Sequence, residues 1–126
     1  MAITLDHTIV PAHDKAASAQ FFAHVFGLTV KEGQGRFAQV RVNDTLTMDF
    51  DEQRAVVESI HYAFHITEAE FDAIFGRVKA AGITYGSGPF DNENGAINTR
   101  REGRGFYFKD PNGHLLEVMT TPETGS

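Results

Sequence analysis

A chain of 126 residues with 17 acidic against 11 basic side chains carries a formal charge of −6, which disfavours nucleic acid as a partner because phosphate contacts need a basic patch. With 41% hydrophobic and 22% charged residues, it has the make-up of one globular domain of ordinary size. The absence of cysteine excludes disulfides, thiolate metal ligands and a cysteine nucleophile together.

The first residues run into a predicted strand with no basic, long apolar leader, so neither a secretory signal nor a membrane role is expected and a cytoplasmic location is the default. That strand covers 5–10. Pro11-Ala12-His13 then breaks the chain before Asp14, a good N-cap for a helix reaching Phe26. Phe21 with Val25 and Phe22 with Phe26 are i,i+4 pairs that give this helix an apolar stripe, and Gly27 suits the position after its end. Three short strands follow over 29–32, 36–42 and 45–51, with Asn43-Asp44 as a tight hairpin turn.

The pattern then starts again. A strand over 60–66 leads to Thr67-Glu68-Ala69-Glu70, which has the form of a capping box. Phe71, Ile74, Phe75 and Val78 recur at helical spacing, and Gly82 ends the helix. A strand over 83–85 enters a long polar loop, 86–103, and strands over 105–109 and 114–120 flank the reverse turn Asp110-Pro111-Asn112-Gly113. The order β-α-β-β-β occurs twice, in modules spanning approximately 3–52 and 59–121 of a single domain, 1–126. The expected fold is α+β, two βαβββ modules forming a curved mixed sheet around a cup, with the helices on the other side.

The repeat singles out polar residues. His7 and His61 hold matching places in the first strand of each module, and Asp49 and Glu117 hold matching places in the last. Alternate residues of a strand share a face, so His61, Ala63 and His65 oppose the larger Ile60, Tyr62, Phe64 and Ile66, and the histidines face the cup. By the same parity Thr47 and Asp49 oppose Met48 and Phe50, and Leu115, Glu117 and Met119 oppose Leu116 and Val118. A carboxylate between Leu115 and Met119 is costly unless paired or coordinated. Two imidazoles and a carboxylate, His7, His61 and Glu117, are the ligand set of a divalent metal site with open positions.

Leu-Asp-His7-Thr, Ile-His61-Tyr-Ala-Phe and Phe-Tyr107-Phe-Lys-Asp-Pro-Asn-Gly-His-Leu-Leu-Glu117 resemble the vicinal oxygen chelate superfamily of glyoxalase I, extradiol dioxygenases, fosfomycin-resistance transferases and bleomycin-binding proteins. The resemblance covers nearly the whole chain and implies paired βαβββ modules around a divalent metal held by His7, His61 and Glu117, commonly in a homodimer. The His61 strand is similar to that of the fosfomycin enzymes. Ile9 stands where those enzymes have a threonine, Ile97, Arg101 and Gly105 replace their loop residues, and no arginine follows Glu117; these departures argue against fosfomycin modification. The runs beginning at His7, Arg41 and Gly103 resemble the branch containing the ring-opening oxidase of chartreusin biosynthesis.

The resemblance and the ligand set together imply an Fe(II)-dependent oxygenase acting on an aromatic or enolic, polyketide-like small molecule. Mn(II), Ni(II) or Zn(II) suits the same donors in a non-redox lyase, isomerase or thiol transferase, and a metal-free drug-binding protein is a third reading. Asp49 is expected as a fourth ligand, as a base on the substrate, or as a solvated aspartate. Tyr107 shares the cup face and either hydrogen-bonds the substrate or packs in the sheet. His65 is expected as a second-layer donor or pocket wall, and His13 and His24 as surface residues. His114 belongs to the turn and the opposite strand face. Phe37, Gln39 and Arg41 alternate on one strand as an aromatic wall with polar handles. Arg100, Arg101 and Arg104 either clamp an anionic substrate or lie in a solvated loop.

Overall fold

The structure, a computed structural model, describes residues 3–31 and 35–123. It divides into two compact units, Met1–Glu58 and Ser59–Ser126, each with the order β-α-β-β-β and each built on one four-stranded mixed sheet that does not close.

In the first unit, β1 (His7–Ala12), α1 (Lys15–Phe26), β2 (Val30–Lys31), β3 (Ala38–Arg41) and β4 (Thr47–Glu52) form a sheet of order β1-β4-β3-β2. The β1–β4 pair is parallel and the rest antiparallel. Asp14 caps α1 by accepting from the Ala17 N–H at 3.1 Å, and Gly27 ends it at φ 71°, a left-handed conformation that glycine adopts without a Cβ penalty. Phe22 stacks on Phe26 at 4.5 Å and meets Phe50 of β4 at 5.8 Å. That contact fixes the faces: Met48 and Phe50 lie under the helix, and Thr47, Asp49 and Asp51 lie on the other side. Each fully buried side chain of Phe22's size contributes about 1.5–3 kcal/mol.

The second unit repeats this with β5 (His61–His65), α2 (Glu68–Ala80), β6 (Tyr85–Gly86), β7 (Gly105–Lys109) and β8 (Leu115–Met119), in the order β5-β8-β7-β6. The capping box is complete, with Thr67 and Glu70 satisfying each other's backbone N–H groups. Phe71 and Phe75 of α2 meet Phe106 of β7 at 5.5 and 5.2 Å. Phe106, Phe108, Leu116 and Val118 are therefore buried under α2, leaving Tyr107 and Glu117 on the opposite face.

Several boundaries differ from the sequence expectation. The first strand runs on through Pro11 to Ala12, because parallel pairing continues to Ala12 opposite Glu52 and an edge strand tolerates proline. The strand expected over 29–32 is only Val30–Lys31; Glu32 lies outside the described residues. The Asn43-Asp44 turn is a three-residue connection, 43–45, closed by Val42 N–H donating to Leu46 O at 2.9 Å. Asn43 Oδ1 accepts from the Thr45 and Leu46 N–H groups and sets this length. The strand expected over 83–85 is Tyr85–Gly86. No helix of the described residues is long and apolar enough to cross a membrane.

Candidate metal centre

In the second unit the Asp-Pro-Asn-Gly-His run builds the frame. Asp110 Oδ1 accepts from the N–H groups of Asn112 and His114, both at 2.9 Å, and its other oxygen takes the Asn112 amide. His114 is fully buried, and its Nδ1 accepts the Ile60 N–H at 3.0 Å. Ser59 adds a bond to Gly113 O. These contacts fasten the entry of β5 to the β7–β8 hairpin and fix the register in which Ala63 lies beside Glu117 and His61 beside Leu115.

His61 then reaches diagonally. Its Nε2 lies 3.1 Å from Glu117 Oε1, while its Nδ1 lies 3.0 Å from the carbonyl of Leu115. A carbonyl only accepts, so the ring proton belongs at Nδ1 and the Nε2 lone pair faces the carboxylate. Two lone-pair-bearing atoms at that distance need a cation, either a second proton or a metal ion. A separation of 3.1 Å is close to that of two neighbouring ligand atoms on one ion, about 3 Å for bonds of about 2.1 Å. The small Ala63 leaves room on the open side of the pair, and the Glu117 side chain is only 11% exposed.

Tyr107 lies directly opposite Glu117 across β7 and β8, and its ring stacks on His61 with 6.0 Å between centroids. Burial raises the proton affinity of its phenol; the hydrogen bond and charge of Glu117 push the same way, while Arg100 opposes them. Arg100 Nη1 donates to Tyr107 Oη at 2.6 Å and Nη2 to Ser87 O at 3.4 Å. The three loop arginines separate here. Arg104 is consumed structurally by Glu68 and Asp72 of α2 and stacks 4.1 Å above Phe71, and Arg101 faces Glu123 at 3.9 Å.

The loop over 86–103 is stitched by asparagines. Asn94 Oδ1 accepts from Ser87 and Ala96 N–H groups, Asn98 Nδ2 donates to Ser87 O, and Asn98 pairs with Gly105. Gly86 lets it close, since a Cβ there would sit 2.1 Å from Asp91 O.

The first unit carries the matching row. Ile9, Asp49 and Gln39 occupy the places of Ala63, Glu117 and Tyr107, with His7 matching His61. Its chemistry differs. Asp49 is 5% exposed and accepts from Gln39 Nε2 at 2.8 Å, so it is a held carboxylate and the solvated reading is set aside. His7 is mostly exposed, with Nδ1 2.8 Å from Asp6 Oδ2. That hydrogen bond, with the charges of Asp6 and Asp49, raises its proton affinity, and it engages Nδ1 rather than Nε2. The expected wall on β3 is reshaped: Gln39 serves Asp49, Arg41 donates to Thr47 Oγ1 and Asp44 O, and Phe37 lies under Arg36 at 5.4 Å.

Asp51, which sequence reasoning passed over, is 4% exposed and held by two bonds from Arg36; its parity with Asp49 was the available signal. His65 bonds the Thr120 carbonyl at 3.2 Å, and His13 and His24 are exposed. Within neither unit do the described residues gather three or more His, Cys, Asp or Glu side chains into a metal cage. The donor set of His61 and Glu117 fits a divalent ion as two of its ligands.

Comparison with known proteins gives a consistent picture. The model of the Glyoxalase/Bleomycin resistance protein/Dioxygenase superfamily matches residues 4–118. The structure titled Oxidase ChaP-H2 is similar at 46% identity and a TM-score of 0.92, covering 100% of this chain and 98% of that one. Oxidase ChaP-H1 is similar at 42% identity and 0.92, covering 98% and 100%. Metallothiol transferase FosB of Shouchella clausii (strain KSM-K16) is 34% identical over 112 residues, 85% of this chain and 71% of its own.

Proposed function

Since this chain belongs to the Glyoxalase/Bleomycin resistance protein/Dioxygenase superfamily, we propose that it is a divalent-metal-dependent oxygenase, with Fe(II) as its ion and an enolic or phenolic aromatic small molecule as its substrate. The observation that carries this reading is the His61–Glu117 pair, whose Nε2 and Oε1 face each other 3.1 Å apart with His61 Nδ1 already engaged. Its likeness to two oxidases at above 40% identity supports the choice of oxygen chemistry. His61 and Glu117 hold the ion, and His7, its Nδ1 tied by Asp6, is the third ligand, supplied by the same chain or by a second copy in a homodimer. The two modules act as one domain.

When bound, the ion supplies Lewis-acid stabilisation to an enolic or phenolic oxygen and a one-electron redox partner for dioxygen. The remaining work falls to side chains. Asp49, with one lone pair taken by Gln39, accepts the proton that the substrate hydroxyl gives up. Tyr107, its ring stacked on His61, packs beside the ligands against the substrate. The second reading, a non-redox metal-dependent transferase, lyase or isomerase, rests on the likeness to a metallothiol transferase.

The test is metal analysis of protein purified without chelating resin, then anaerobic Fe(II) reconstitution and an oxygen-uptake screen on catechols and polyphenolic quinones. Stoichiometric iron, oxygen uptake, and loss of both in His61→Ala are expected. Metal binding without oxygen uptake favours the second reading, and no metal at all sinks both.

A further inference from the structure

Two consecutive non-glycine residues, Arg101 at φ 54° and Glu102 at φ 61°, occupy the left-handed region in the short 3₁₀ turn at Arg100–Glu102. Side chains other than glycine and asparagine adopt that region at a cost, and such costs concentrate at functional sites. Surrounding contacts hold the turn. The Gly103 N–H donates to Arg100 O at 2.9 Å, the Arg100 N–H donates to Asn98 Oδ1 at 3.3 Å, and Gly103 has no room for a Cβ beside the Thr120 and Thr121 hydroxyls. The strained turn aims Arg100 back across the sheet at Tyr107.

Arg100 meets no carboxylate of the described residues; its side-chain acceptors are the neutral Tyr107 Oη and Ser87 O. A guanidinium only donates, so at 2.6 Å it takes one lone pair of the phenol oxygen and forces the phenol's own proton elsewhere. The phenol O–H has two in-plane directions, and Arg100 blocks one. The other leads to Glu117, the residue directly opposite on β8.

We propose that Arg100 is a positioning residue: by donating to Tyr107 Oη it fixes the phenol as a hydrogen-bond donor to Glu117, and so holds that carboxylate in the orientation that presents an oxygen beside His61 Nε2. The row runs Arg100, Tyr107, Glu117, His61, with a defined donor at each step as far as the carboxylate. This inference rests on the reading of Glu117 as a metal ligand, since outer hydrogen-bond partners of metal-binding carboxylates govern affinity. The equivalent row in the first unit has Gln39 in the place of Tyr107, donating to Asp49 directly, and so needs no arginine to set its direction.

The experiment titrates the metal-free full chain with Co(II), following the visible d–d bands and the dissociation constant, in wild type, Arg100→Met, Arg100→Lys, Tyr107→Phe, the Arg100→Met/Tyr107→Phe double variant and His61→Ala. Arg100→Met should weaken Co(II) binding about 10–100-fold and shift the d–d bands, with Arg100→Lys recovering part of the loss. The double variant should bind no more weakly than Tyr107→Phe alone, because arginine acts through the phenol. Wild-type affinity in Arg100→Met, or losses that multiply in the double variant, would overturn the proposal while leaving the metal reading intact. No Co(II) uptake by wild type, or uptake unchanged in His61→Ala, would overturn the metal reading and this inference with it.

Discussion

At the scale of single residues, the two modules give the same strand position different work. Glu117 is flanked by Ala63 and Tyr107 and faces His61, whereas Asp49 is flanked by Ile9 and Gln39, with the amide of Gln39 on its oxygen. An asparagine at 49 keeps a carbonyl oxygen for that amide but cannot take a proton. Asp49→Asn should therefore cost no more than about 0.5–1.5 kcal/mol of stability, measured by urea unfolding. Turnover of any substrate found in the oxygen-uptake screen should fall about 10²–10⁴-fold. Equal turnover in the variant would remove Asp49 from the chemistry.

At the scale of elements, hydrogen bonds rather than apolar burial place the long loop, and its two ends make separate predictions. Gly86→Ala forces a Cβ to within 2.1 Å of Asp91 O and 2.4 Å of Asn92 C; backbone must move, and a loss of about 1–3 kcal/mol is expected in thermal or urea unfolding. At the other end Arg104 ties the loop to α2. Bonds from the Thr120 hydroxyl and Arg104 hold the Glu68 carboxyl below its ordinary value of 4.5. The stability that Glu68 contributes is thus present above that ordinary value and is lost as pH falls through the lowered one. Wild type should lose stability more steeply than Arg104→Met as pH drops below about 4.5, and parallel acid limbs in the two proteins would contradict the linkage. Sequence reading reached the ends of both helices because Asp14, Gly27, Thr67 and Glu70 are local signals. It reached the faces of β5 and β8 because alternation is local too. The path of the loop was not legible: Asn94 and Asn98 look like solvated polar residues until the backbone groups they bind are in place, and the strain at Arg101 and Glu102 has no sequence signature.

At the scale of the whole molecule, the modular repeat was legible from spacing and from the Asp110–Glu117 run, whose aspartate, asparagine and histidine prove to be fasteners of the hairpin that carries Glu117. Large apolar side chains remain uncovered in the single chain. Ile9, on the His7 face of β1, is 46% exposed, Ile60, next to His61, is 38%, and Ile3 and Phe90 are almost fully so. Both β1 and β5 are edge strands of their sheets, a feature that proteins normally cover. For the proposed homodimer, light scattering should give twice the chain mass, and Ile9→Lys should shift the protein toward monomer and weaken metal retention in parallel. A monomeric wild type that still holds stoichiometric metal would show that one chain suffices.

The asparagine stitching also bears on how such a protein changes over evolutionary time. Its anchors, Ser87, Asn94 and Asn98, satisfy one another and the neighbouring backbone, while Phe90, Asp91 and Glu93 lie between them on the exposed side. The side chains at those intervening positions can change without cost to the core, because none of them fills it. The molecule thereby keeps the stitched base of the loop apart from its exposed tip: substitutions at the tip leave the hairpin bearing the carboxylate untouched.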